Sequence, residues 1–141
     1  MPDAATVTAD RILDTARTFA VVGASADPNR PSYGVMATLI AHGYDVIPVT
    51  PAVDEVHGRP TYPDLASIPA DVEVDVVDIF RQSDRAGAHV DEAIEREAAA
   101  VWLQLGVIDE VARERAEAAG LDVVMDRCPA IELRRRARQV A

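Results

Sequence analysis

The chain has 141 residues, 49% of them apolar, with one cysteine and a formal charge of −10 from 24 acidic and 14 basic residues. That length fits one domain over residues 1–141, the charge repels nucleic acid and anionic lipid, and a lone cysteine excludes an internal disulfide. Every basic residue is arginine, which removes lysine phosphate loops, Schiff-base chemistry and lysine general bases. No apolar run is long enough to span a bilayer, and Met1-Pro2-Asp3-Ala4 does not start a secretory signal, so a cytoplasmic protein is expected.

Thr8 is placed to cap a first helix carrying Ile12, Leu13 and Ala16 at helical spacing. Residues 19–22 are an apolar run of the kind that forms a buried strand, broken at Gly23 by a loop of small residues. A helix is expected from about Ser32 to His42, stopping at Gly43. A strand over 45–49 follows, and Pro48 assigns it to a sheet edge or a strand end. Residues 51–69, with Gly58, Pro60 and Pro63, read as irregular apart from a short helical turn over 64–67. The remaining elements are strands over 74–79, 100–103 and 122–125. They alternate with helices over about 83–96, 109–119 and 130–137.

Strands that alternate with helices imply right-handed crossovers and an α/β fold. The expectation is a Rossmann-like three-layer sandwich: a mostly parallel five-stranded sheet with helices on both faces. In such sheets the ligand lies beyond the carboxyl ends of the strands, where strand order reverses. The segments to inspect are therefore 23–34, 49–51, 80–83, 104–107 and 126–128.

The first of these segments carries the strongest chemistry. A strand, a loop starting Gly23-Ala24-Ser25 and a helix N-terminus near Ser32 together make an anion pocket, because loop and first-turn N–H groups point outward. Gly23 allows the turn and a close approach. The ligand class is a phosphorylated small molecule, with Arg30 and Arg81 the basic side chains at the pocket. Nicotinamide dinucleotides prefer Gly-x-Gly-x-x-Gly and an acidic residue about 20 positions on. Here a long insertion precedes Gly34, and Val49-Thr50-Pro51 carries no carboxylate. Both features count against NAD.

Five motifs in order carry a resemblance. They are Val21-Val22-Gly23-Ala24-Ser25 with Asp27-Pro28-Asn29-Arg30-Pro31; Gly43-Tyr44-Asp45-Val46-Ile47-Pro48-Val49; Val76-Val77-Asp78-Ile79-Phe80-Arg81; Val101-Trp102-Leu103-Gln104-Leu105-Gly106; and Val124-Met125-Asp126-Arg127-Cys128 with Ile131-Glu132. Together they resemble the stand-alone CoA-binding domain proteins, relatives of the CoA-binding domain of the succinyl-CoA synthetase alpha subunit. The resemblance implies coenzyme A or an acyl-CoA as ligand. The diphosphate would lie against Gly23, Ala24 and Ser25 and the start of the second helix, with Asn29, Arg30, Ser32, Tyr33 and Gly34. Adenine and ribose would lie near Val49, Thr50 and Pro51, and the pantetheine arm would run past Phe80, Arg81, Gln104 and Gly106. Two positions depart from the family: Ala52, where relatives often carry a basic residue, and Pro129, where they carry an aliphatic one.

The reading is a CoA-binding protein without catalysis of its own, since the synthetase's phosphorylated histidine belongs to a separate ligase domain. The alternatives are an NAD- or nucleotide-binding redox sensor, and an enzyme acting on a phosphorylated metabolite with Asp126 or Cys128 as its acid–base group. Cys128 is read either as an inert thiol or as a redox partner for the CoA thiol, with Arg127 and a helix start favouring its thiolate. His42, His57 and His89 show no metal-ligand spacing, so no metal is expected. Trp102 is read as core, and the acidic run over 91–97 as a solvated helix face. Arg134, Arg135, Arg136 and Arg138 read as a solvated helix end, with a phosphate or subunit contact as the alternative. The partner is a small molecule, with no nucleic acid and no membrane, and homo-oligomerisation is left open.

Overall fold

Apolar runs and helical segments do alternate as expected in the computed structural model, which describes residues 1–140. In chain order the elements are α1 (Ala4–Thr15), β1 (Thr18–Val22), α2 (Pro31–Ala41), β2 (Asp45–Val49), β3 (Glu55–Val56), β4 (Arg59–Pro60), β5 (Val76–Ile79), α3 (Ser83–Glu95), β6 (Ala100–Leu103), α4 (Glu110–Ala118), β7 (Asp122–Val124) and α5 (Pro129–Val140). The main sheet has five strands in the order β2-β1-β5-β6-β7, and every pairing in it is parallel. The architecture is the expected Rossmann-like α/β fold.

Side-chain alternation along the strands builds the two faces. Phe19, Val21, Val76, Trp102 and Val124 pack with Ile12 and Leu13 of α1, Met36 and Leu39 of α2, and Leu133 of α5. Ala20, Val22, Val77, Val101 and Leu103 point the other way, against Ala86 and Val90 of α3 and Ala112 and Ala116 of α4. Those four helix positions are alanine or valine, which lets α3 and α4 lie close to the sheet and to each other. Trp102 is fully buried, and its indole N–H donates to the Arg127 carbonyl at 2.9 Å.

Four local expectations are corrected. Asp3, and not Thr8, caps α1: its carboxylate accepts from Thr6 N–H at 2.8 Å, and Thr8 lies inside the helix. Residues 51–69 contain a hairpin, β3–β4, turned at His57 (φ 52) and Gly58 (φ 75). Two positive-φ residues in succession form a tight hairpin turn, but two-residue strands are too short to show alternation. β5 starts at Val76 and not at Val74; before it, the Asp75 carboxylate accepts from the N–H groups of Arg17 (2.9 Å) and Thr18 (3.0 Å). Two arginines of the basic cluster are only partly exposed and are paired: Arg135 with Asp10 at 2.6 Å and Arg136 with Asp14, clasping α5 to α1.

The edge assignment of β2 holds. Its outer side is covered near its end by Tyr62, whose N–H donates to the Pro48 carbonyl at 3.1 Å. The turn over Leu65–Ser67 is capped by Asp64. The segment beyond it is held by one side chain: the Arg96 guanidinium donates to the carbonyls of Leu65, Ile68, Pro69 and Val72 at 2.6–3.0 Å.

Candidate functional site

The strand order reverses at β1. From β1 the chain crosses to β2 on one side and returns as β5 on the other. The segments after β1 and β5 therefore part above the sheet and open a crevice. Gly23 makes the first bend at φ +84, and an ideal Cβ there would lie 2.3 Å from the Phe80 carbonyl oxygen. No side chain is compatible with that approach. The close neighbour at Gly23 is thus the chain's own backbone.

The loop after Gly23 uses several of its N–H groups internally. Gly23 and Ala24 donate to the Val49 carbonyl at 3.0 and 3.4 Å, Asp27 to Ser25 Oγ at 3.0 Å, and Asn29 to Asp27 Oδ1 at 2.9 Å. The N–H groups of Ser25, Ala26 and Ser32 have no acceptor among the described residues. They stand at the two ends of this loop, and α2 begins with Pro31 and lacks a side-chain cap. The anion-binding donors are therefore fewer than the sequence implies, and they sit at Ser25, at Ala26 and at the first turn of α2.

Above the sheet edge lies a cleft of about 670 Å³, within the range of small-molecule sites. It is built from the tips of four strands. Gly23, Ala24 and Ser25 follow β1, with Arg30 and Ser32 opposite them; Thr50 follows β2; Phe80 and Arg81 follow β5; Gln104 and Gly106 follow β6. All ten were expected from the sequence. Pro31, Gln82, Leu105 and Val107 also line it, and each lies in an inspected segment without having been singled out. Among the described residues the lining contains no carboxylate, although the chain has 24 acidic residues, and the charged side chains in it are Arg30 and Arg81. A smaller recess beside it is lined by Arg81, Gln82 and Arg85.

Other expected residues lie outside this cleft. Tyr33 faces the hairpin, with its ring 4.0 Å from that of His57, whose Nε2 is 2.8 Å from the Tyr33 carbonyl. Val49 is buried and contributes its carbonyl to the loop. Gly34 lies inside α2, and Asn29 and Pro51 are exposed. Cys128 is 6% exposed and packs in the face formed by Trp102, Val124 and Leu133. Its neighbour Arg127 turns toward α1, reaching Thr6 Oγ1 at 3.0 Å, Glu132 at 3.2 Å and Asp3 at 3.4 Å. The reason is local: β7 ends at Val124, and Asp126 bends the chain at φ 59. The Asp126 carboxylate accepts from Gly106 N–H at 2.7 Å, so it shapes the β6 loop.

One group stands out in the sequence as an exception but receives no role from it. Asp78 is fully buried in the middle of β5, its carboxylate without a partner, and burial pushes its pKa well above the ordinary carboxylate value. An acidic residue in an otherwise apolar strand was the available signal.

With the geometry in place, residues 17–134 match the family described as a CoA binding domain. The chain belongs to the CoA-binding domain family. It is 35% identical over 117 residues to the uncharacterized protein YneT of Bacillus subtilis, covering 83% of this chain and 85% of that one. A hypothetical protein from Pyrococcus horikoshii OT3 superposes with a TM-score of 0.88 at 36% identity, covering 96% of both chains. The dinucleotide-forming acetyl-coenzyme A synthetase 1 of Ca. Korarchaeum cryptofilum, in its apo form, superposes with a TM-score of 0.66 at 26% identity. In that case 75% of this chain matches 25% of the synthetase chain. The CoA-binding domain family thus includes small proteins close in length to this one, and a similar unit occurs within a larger synthetase. Among the described residues there is no group of three or more His, Cys, Asp or Glu placed to hold a metal ion, and no helix long and apolar enough to cross a membrane.

Proposed function

We infer that the cleft binds coenzyme A or an acyl-CoA, and that the protein works as a binding protein without catalysis of its own. The observation that carries this reading is the charge of the cleft: in a chain of net charge −10, its charged lining groups among the described residues are two arginines. An anionic ligand is then attracted locally against the field of the whole protein. Its diphosphate lies between Ser25 and the first turn of α2, where the N–H groups of Ser25, Ala26 and Ser32 lack acceptors among the described residues. The adenosine end lies toward Thr50, and the arm extends past Phe80 and Arg81 to Gln104 and Gly106. NAD is disfavoured because no carboxylate stands at the tip of β2 to hold a ribose hydroxyl. The single buried cysteine fits a reducing compartment, and we place the protein in the cytoplasm.

The test is native mass spectrometry of protein purified without added ligand, paired with thermal-shift titration. Co-purified CoA mass, or a rise in melting temperature with CoA at concentrations where NAD has no effect, is expected. Stabilisation by NAD and none by CoA would sink the reading.

A further inference from the structure

Among the described residues, Asp78 Oδ1, Asp78 Oδ2 and Gln104 Oε1 are buried without a hydrogen-bond partner. A buried polar atom in that state is costly, and native proteins keep few of them. These three belong to neighbouring strands. Val76 and Phe80 along β5, and Ala100 and Trp102 along β6, turn to the face covered by α1, α2 and α5. The two-residue period of a strand puts Asp78 and Gln104 on that same face. Asp78 pairs with Trp102, and the Gln104 N–H extends the ladder by donating to the Ile79 carbonyl at 3.3 Å. Gln104 is therefore the diagonal neighbour of Asp78, a spacing that a long side chain spans.

An ionised Asp78 would set a buried charge against Gln104 Oε1, acceptor to acceptor, with no cation to offset it. A protonated Asp78 carries one O–H, which is the donor that Oε1 lacks. Loss of water alone raises the Asp78 pKa, with no charged neighbour acting on it. The other titratable groups packed in this face are Tyr33 of α2, Tyr44 ahead of β2 and Cys128 ahead of α5, while α1 turns Ala9, Ile12 and Leu13 to it. Glu132 of α5 is held by Arg127 and Arg135, and Arg30 and Arg81 stand in the cleft wall. Gln104 is 6% exposed and also lines the cleft. With Oε1 held inside, the end of the amide turned to the cleft is Nε2, a donor.

We propose that the Asp78 carboxyl group donates a hydrogen bond to Gln104 Oε1 and so holds the Gln104 amide with Nε2 facing the cleft. Asp78 is then a positioning residue: it never meets the ligand and acts through Gln104. The wall offers Gln104 Nε2 beside Arg30 and Arg81, donors that suit an anion. A rotated amide would put an acceptor there instead. The hydrogen bond stands without a ligand, and its effect on binding rests on the CoA reading above.

Infrared spectra of the ligand-free protein at pH 7 test the hydrogen bond. Wild type minus Asp78→Asn is expected to show one carboxylic-acid carbonyl band. Gln104→Met keeps the length of the side chain and removes its acceptor, and the band is expected to move to higher frequency in it. Absence of an acid band belonging to Asp78, or a band unmoved in Gln104→Met, overturns the proposal. Calorimetric titration with CoA tests the consequence. Asp78→Asn keeps a donor toward Oε1 and is expected to bind CoA like wild type. Asp78→Leu removes the donor and is expected to weaken CoA about fivefold, as is Gln104→Met. The variant carrying both changes is expected to bind no more weakly than Gln104→Met alone. Equal losses in folded Asp78→Asn and Asp78→Leu, or additive losses in the double variant, overturn the positioning role. The infrared measurement needs only Asp78→Asn and Gln104→Met, so it decides the bond even where Asp78→Leu fails to fold. Wild type that binds no CoA removes the CoA reading and leaves the infrared result to decide the hydrogen bond.

Discussion

The carbonyl oxygen of Phe80 stands where a side chain on Gly23 would have to begin, 2.3 Å from an ideal Cβ. These residues lie at the tips of paired strands β1 and β5, and their approach sets how the crevice opens. Gly23→Ala would combine positive-φ strain with a backbone collision. It is expected to destabilise the protein by about 3 kcal/mol or more, read by urea denaturation. Loss of ligand in this variant therefore reports on folding as well as on the site. An alanine variant as stable as wild type would show that the two tips separate easily.

Asp78 gives the protein a pH-dependent weakness. Burial raises its pKa in the folded state well above the ordinary value of 3.8. As pH rises past that ordinary value, the unfolded chain releases the proton while the folded chain retains it. Stability from this group is thus fully present below the unfolded pKa and is lost as pH climbs toward the folded one. Asp78→Asn has nearly the same shape and cannot ionise. Its melting temperature relative to wild type is expected to be higher at pH 8 than at pH 4.5. An offset that does not change with pH would mean that ionisation at Asp78 is not felt by the fold.

Arg96 ties four carbonyls of residues 65–72 with one guanidinium. Arg96→Met is expected to cost about 2 kcal/mol. It should also speed amide exchange in residues 65–72 more than elsewhere. Uniform acceleration would show that the segment holds itself in place.

Cys128 sits at 6% exposure with its neighbouring arginine engaged elsewhere. Thiols buried among apolar side chains react slowly. Treatment of the folded protein with CoA disulfide is expected to leave its intact mass unchanged, while the denatured protein gains one adduct absent from Cys128→Ser. A reducible adduct on the folded protein would instead support the redox-partner reading of this thiol.

The elements written as apolar runs were legible in the sequence. The expected bounds of β2 and β6 match the structure, because Asp45–Val49 and Ala100–Leu103 are short apolar runs between turn residues or helix ends. The hairpin at His57-Gly58 was not legible, since two residues per strand cannot display a period. At the site, the loop-bearing segments were found because strand tips follow from strand positions. Their inner wiring was not found, because it depends on partners distant in sequence: Phe80 against Gly23, Val49 beneath Ala24, Asp126 under Gly106. The buried acid at Asp78 was visible as an anomaly, but its lack of any partner was not.

The clasp between α1 and α5 bears on the order in which the protein assembles. Asp10 meets Arg135 across 125 positions and Asp14 meets Arg136 across 122, so these pairs close a loop of nearly the whole chain. Closing so long a loop before the sheet exists carries the largest chain-entropy cost, so these pairs are expected to close after the sheet has formed. The cleft draws its lining from residues 23–107, with none from either clasped helix. The strand tips that face the ligand can therefore be in place before the clasp closes.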